Sequence, residues 1–246
     1  MSLERSKAHW EDLGTLDPCW AILSEPGTKY GRWDLDTFFA TGQKEIAEIM
    51  NTAKSFGLPQ RQDWALDFGC GVGRLTRALT FHFRHAVGID ISQSMVRQAV
   101  RWNDHLPCTF VVNASESLPF MSEGFDFVYT AIVLQHVPTQ DSIRRYISEF
   151  MRLLKRGGLL VMQLPSHIPL RRRLQASRRL YAWLREAGVS ERVLYNRFGL
   201  HPIPMNFLPE SNVSAIIRSG GGQIVEIRTD HRAGPHIHSR TYFATK

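Results

Sequence analysis

The stretch Leu66-Asp67-Phe68-Gly69-Cys70-Gly71-Val72-Gly73-Arg74 holds three glycines at alternate positions behind an acidic residue. Glycines let the chain turn tightly and let a ligand approach the backbone, and a helix starting there adds unpaired N–H groups. Asp90 ends the next apolar run, Val87-Gly88-Ile89-Asp90. A carboxylate there can accept from both hydroxyls of a ribose. The spacing is GxGxG, not GxGxxG, which suits a nucleoside without a pyrophosphate. Alone, the triplet also fits a plain strand-to-helix turn; Asp67 and Asp90 narrow it. His136, His231 and His236 are candidate bases, because an imidazole titrates near neutral pH. With His238, the segment DHRAGPHIH also reads as a zinc cluster. Ten histidines make that grouping ordinary, and no carboxylate pair supports it, so no metal is expected. Cys70 has no neighbouring base and reads as a small residue filling the loop.

These residues need a scaffold, and the hydrophobic pattern supplies one. Strand-like runs at 63–68, 87–90, 108–112, 125–131 and 159–164 alternate with helix-like stretches at 41–56, 72–83, 93–104 and 139–155. Ser92 is placed to cap the third of these helices. Alternation of this kind means a parallel sheet with helices on both faces. A helix at 208–219 and strands QIVEIRT and RTYFAT follow. The loop between these last strands is too short for a crossover, so they should be antiparallel neighbours. The expectation is an α/β fold with a Rossmann-like, seven-stranded, mostly parallel sheet and an antiparallel last strand. Residues 1–40, with Trp10, Trp20, Trp33, Phe38 and Phe39, read as an N-terminal helical cap, in which Tyr30 and Trp33 are candidates to cover a ligand. Residues 41–246 read as the main domain, with an insertion at 165–206.

The chain has 246 residues, 43% of them hydrophobic and 22% charged, within the ordinary range of folded domains. No apolar run is long enough to span a membrane. The N-terminus lacks a secretory or transit pattern, and three unpaired cysteines fit a reducing compartment, so a cytoplasmic location is expected. The net charge is +7. It concentrates in the insertion, which holds eight arginines, no lysine and only two acids. A helix is expected at 169–187, with Leu170, Leu174, Ser177, Tyr181 and Leu184 on one stripe and Arg171, Arg172, Arg178, Arg179 and Arg185 mostly off it. The arginines read either as a solvated face or as the rim of a lid that attracts an anionic acceptor; a membrane-surface role for this basic amphipathic helix ranks below both, because its apolar face is short. Nucleic-acid binding more often spreads basic residues over the folded body, so it is not expected.

The motifs DFGCGVGR, GIDIS, FDFVY with IVLQHVP, and LKRGG, in this order, resemble those of the class I S-adenosylmethionine-dependent methyltransferases. The resemblance is strong over 42–164 and looser over 208–246. Arg156 stands where that family usually has Pro. The resemblance implies a methyl donor, S-adenosyl-L-methionine, and its product S-adenosyl-L-homocysteine. Asp67 would orient the loop and meet the methionine amine. Gly69, Cys70, Gly71 and Gly73 would wrap the methionine and ribose, with Arg74 beside them. Asp90 would bind the ribose, and Ile91 and Met95 would pack on the adenine. Ala114, Ser115 and Glu116 align with the adenine-binding segment. Thr130 and Ala131 would approach the amine, and Gln135 would line the pocket beyond.

The implied function is methyl transfer to the oxygen or nitrogen of a small molecule, with His136 or His231 as base. An RNA or protein methyltransferase and a non-catalytic S-adenosylmethionine-binding protein are the alternatives. TAIV follows the fourth strand in place of the NPPY-type tetrad of enzymes that methylate nucleic-acid amines. A monomer or homodimer is expected.

Overall fold

A computed structural model describes residues 2–169, 176–200, 204–234 and 237–246. Strands β1 (Trp64–Phe68), β2 (His85–Asp90), β3 (Cys108–Val112), β4 (Phe125–Thr130), β5 (Leu154–His167), β6 (Gln223–Asp230) and β7 (His238–Thr245) form one sheet in the order β3-β2-β1-β4-β5-β7-β6. The first five are parallel, and β7 runs antiparallel to both β5 and β6, as the short final loop requires. The strand order reverses between β1 and β4. That reversal opens a crevice at the carboxyl ends of the strands, where ligands bind in such sheets.

The central strand shows why its sequence lacks alternation. All six residues of β4 are buried. Phe127 and Tyr129 pack with Ile46 and Met50 of α3 (Leu35–Ser55) and Leu75 and Leu79 of α4 (Arg74–Leu79). Val128 points the other way, into the cluster of Ile143, Ile147 and Phe150 from α6 (Gln140–Leu153). A strand covered on both faces must be apolar throughout. The polar exception, Asp126, accepts from the N–H groups of Asp63 and Trp64 and pairs with Lys155 at 2.9 Å, so it joins the starts of β1, β4 and β5.

The remaining helices are α1 (Leu3–Leu16), α2 (Pro18–Ile22), α5 (Gln93–Asn103), α7 (Ala176–Glu186), α8 (Glu191–Phe198) and α9 (Glu210–Ser219). Helix α5 starts where expected, with Ser92 Oγ accepting from Met95 N. Several boundaries differ from the expectation. Asp34 caps α3 by accepting from Thr37 N at 2.9 Å, so the helix starts at Leu35 and the expected boundary at residue 40 falls inside it. Phe38 and Phe39 are therefore buried residues of α3. Helix α4 stops at Leu79, short of 83. Strand β5 begins at Leu154, directly after α6, because its pairing with β4 jumps from Phe125↔Leu154 to Phe127↔Leu159 around the two glycines. Of the expected helix at 169–187, α7 is the part described; Leu170, Arg171, Arg172 and Leu174 lie outside the described residues. Tyr181 is buried and Leu184 half-buried, but Ser177, expected on the same stripe, is exposed.

Candidate functional site

The glycine loop is held from both sides. Gly69 N and Cys70 N donate to the carbonyl of Ile89, at 2.8 and 3.1 Å. Gly71 N and Ser92 N donate to the two carboxylate oxygens of Asp90, at 2.9 and 2.8 Å. Gly69 and Gly71 both have positive φ, 77° and 53°. A Cβ on Gly69 would sit 2.4 Å from Val133, and one on Gly71 2.5 Å from Ile22, so a side chain at either position collides as well as strains the backbone.

Above this loop lies a cavity of about 170 Å³. Gly69, Cys70, Gly71, Asp90, Ile91 and Met95 line its inner wall, with Ala131. Its roof comes from the N-terminal helices, through Leu3, Trp10 and Ile22. His136 lines it too, on a short 3-10 turn, Leu134–His136, that follows β4. His136 Nδ1 lies 2.9 Å from the carbonyl of Pro204. A carbonyl only accepts, so Nδ1 carries the proton and Nε2 is the basic nitrogen. Nε2 lies 3.2 Å from the Gln135 amide nitrogen, and the ring meets Trp10 at 5.8 Å. Ile132, also in the wall, has φ of 60°, a costly angle for a β-branched residue. Its N–H donates to Gln163 Oε1, which holds the strained turn in place.

A charged cluster closes one end. Arg74 and Arg232 both line the cavity. Glu45 on α3 stands between them, taking Arg74 on one oxygen at 2.9 Å and both Arg232 and the Tyr129 hydroxyl on the other. Burial pushes the Glu45 carboxyl up, but the two guanidinium groups outweigh it and hold the group below its ordinary range. Arg74 Nε is buried with no hydrogen-bond partner. The cavity thus offers a carboxylate acceptor at Asp90, an apolar slot at Ile91 and Met95, and a cationic end at Arg74 and Arg232. That set fits a nucleoside carrying an anionic tail.

Not every expected residue reaches the cavity. Gly73 packs beneath the loop, against Phe110 and Asn103. Asp67 is buried below it, accepting from Thr76 Oγ1 at 2.6 Å. Thr130 and Gln135 are buried and absent from the wall. Ala114 and Ser115 are exposed. Glu116 turns to Ser142 and Arg145 on α6, so a carboxylate expected near the adenine is occupied elsewhere; Asn113 lines the cavity in its place. His231 is exposed and outside the wall, which the adjacent Arg232 enters; His236 lies outside the described residues. Tyr30 and Trp33 do not roof the cavity: Tyr30 is exposed, and Trp33 Nε1 donates to Leu23 O. Burial pushes the Cys70 thiol well above its ordinary range, as suits a packing residue. Among the described residues no group of three His, Cys, Asp or Glu is placed to hold a metal ion. Sequence reasoning missed Glu45, Tyr129, Arg232 and Trp10.

The buried Asp67 has a measurable consequence. Burial pushes its carboxyl up to about 7, against the pull of Thr76 and Arg74. The folded chain therefore holds a proton there that the unfolded chain releases near pH 4. Its contribution to stability is full below that value and is lost as pH rises through about 7. Asp90 is shifted the same way. In Asp67→Asn, the fall in unfolding free energy between pH 5 and pH 8, measured by urea titration, is expected to shrink by at least ~1 kcal/mol. An unchanged fall would place the proton elsewhere.

Residues 66–162 match a family described as a methyltransferase domain. A malonyl-[acyl-carrier protein] O-methyltransferase from Herminiimonas arsenicoxydans is 38% identical over 98 residues, covering 39% of this chain and 35% of that protein. A 24-methylenesterol C-methyltransferase 2 from Oryza sativa is 35% identical over 101 residues, covering 39% of this chain and 27% of that protein. The chain spans about a third of the length of the first curated relatives it matches. Among solved structures, a magnesium protoporphyrin IX methyltransferase from Synechocystis with bound SAH superposes with a TM-score of 0.65, at 20% identity and 99% coverage of both chains.

Proposed function

We propose that the chain is a class I S-adenosylmethionine-dependent methyltransferase, that its cavity binds S-adenosylmethionine and that the protein methylates a small-molecule acceptor at oxygen or nitrogen. The observation that carries this reading is the meeting of the loop and Asp90 at one wall of a roofed cavity. Asp90 has lone pairs left on both oxygens for the ribose hydroxyls. Ile91 and Met95 take the adenine faces. Arg74 and Arg232 hold the methionine carboxylate. When bound, the donor supplies a methyl group already activated by the sulfonium, so the protein has mainly to align a nucleophile and exclude water. Trp10 and Ile22 do the excluding. A roof of packed helices over the cavity favours a small acceptor over RNA or protein.

His136 is the proposed base. Its Nδ1–H is fixed on Pro204, which presents the Nε2 lone pair to the same wall. An acceptor proton moves to Nε2 once the Gln135 amide yields its contact. His136→Asn is expected to lower kcat by roughly 100-fold, with the affinity for S-adenosylhomocysteine unchanged. Unchanged kcat would remove His136 from the chemistry and leave it a wall residue. The reading as a whole is tested by titrating S-adenosylmethionine and S-adenosylhomocysteine calorimetrically, then screening acceptor pools with a labelled methyl donor. Absence of binding by both nucleosides would overturn it.

A further inference from the structure

We propose that the outward face of α7 docks on an anionic lipid bilayer. The helix is apolar on two sides. Its inward side is satisfied: Tyr181 is buried and meets His9 of α1 edge-on at 6.3 Å. Its outward side is not. Leu180 and Trp183, one turn apart, are 47% and 64% exposed. Single exposed apolar residues are normal on protein surfaces. Here a tryptophan and a leucine share one stripe, with the exposed Arg179 one turn from Trp183. The same insertion exposes Phe198, at 57%, next to the exposed Arg197.

Charge selects the occupant. Among the described residues Arg179, Arg185 and Arg197 are exposed here against Glu186, and residues 165–206 as a whole carry eight arginines against two acids. A second copy of the chain would bring the same charge and be repelled. An anionic headgroup layer complements it. Arginine pairs with phosphate through two parallel N–H bonds, and tryptophan sits well at headgroup depth. Helices that lie in the interface have this composition: aromatic and leucine on one face, basic residues around it. No helix among the described residues is long and apolar enough to cross a membrane.

Docking has a geometric consequence. Helix α7 reaches α1 through Tyr181 and His9, and α1 supplies Leu3 and Trp10 to the cavity roof. A bilayer under α7 therefore lies beside the roof, and the acceptor is drawn from molecules that partition into lipid. This last step rests on the function proposed above; the docking does not.

The test is co-sedimentation of the full chain with phosphatidylcholine vesicles, with and without phosphatidylserine, at low and physiological salt. Binding is expected only with phosphatidylserine, and weaker in salt. Leu180→Ala with Trp183→Ala is expected to weaken it at least ~10-fold. Arg179→Glu is expected to weaken it by more than the roughly five-fold worth of one basic charge. S-adenosylhomocysteine affinity, measured on the same samples, is expected to stay at the wild-type value, which reports that the variants are folded. No sedimentation, equal binding to neutral vesicles, or indifference to all three substitutions would each overturn the proposal. So would a dimer in light scattering that Trp183→Ala dissociates, or saturable binding of an acyl carrier protein without binding to vesicles.

Discussion

Glu45→Gln is expected to destabilise the protein by about 3–5 kcal/mol, as removal of one partner from a buried ion pair does. Glu45 accepts from Arg74, Arg232 and the Tyr129 hydroxyl, and all three partners stay behind when its charge is removed. Arg74 is only 6% exposed, so water replaces the lost carboxylate poorly. An amide of the same shape accepts through one oxygen only and turns its NH2 group toward a guanidinium. For a domain of this size the expected drop in Tm is about 10 °C. The check separates a lost pair from general disruption. Glu45→Gln combined with Arg74→Met removes one charge of each sign, and it should be less destabilised than the sum of the single variants. A loss under ~1 kcal/mol in Glu45→Gln alone would show that the cluster is hydrated and contributes little.

The Glu45 cluster also marks where the sequence stops being legible. The loop and Asp90 were readable because glycines at alternate positions and a carboxylate at a strand end are local signals. The parallel strands were readable because β4 is covered on both faces and so shows no polar alternation. Glu45 and Arg232 lie 187 positions apart, and nothing in the spacing of either announces the other. The roof had a partial signal. An aromatic N-terminus suggested cover, but Tyr30 and Trp33 were singled out, whereas Trp10 reaches the cavity. Glu116 looked available for an adenine amine because its competitors, Ser142 and Arg145, lie on a helix further along the chain. The start of α3 was readable in principle: Asp34 with Thr37 is a capping pair, overlooked beside the surrounding aromatic residues. On α7 the inward stripe was legible and the outward one was not. Only the packing of Tyr181 on His9 shows which side faces solvent.

Asp90→Ala is expected to weaken S-adenosylhomocysteine binding by roughly 100-fold, about 3 kcal/mol, from two charge-assisted hydrogen bonds at ~1.5 kcal/mol each. The loss has two sources. The ribose hydroxyls lose their acceptor, and Gly71 N and Ser92 N lose theirs. The second loss loosens the loop that shapes the cavity, so the affinity should fall further than for a residue that only touches ligand. Asp90→Asn impairs both. Its single oxygen can keep one backbone N–H while its NH2 group opposes the other, so it should lie near the alanine variant and well below wild type. Affinity for S-adenosylmethionine should fall by the same factor, because donor and product share the ribose. The wild-type protein adds a pH test. Burial raises the Asp90 carboxyl from its ordinary value, against the pull of the Ser92, Gly71 and Ile91 N–H groups. Protonation removes acceptor capacity, so affinity should fall as pH is lowered, and that slope should vanish in Asp90→Asn. Calorimetric titration of the three proteins across pH checks both effects. An alanine variant that binds within about three-fold of wild type, less than ~1 kcal/mol, would take the ribose away from Asp90.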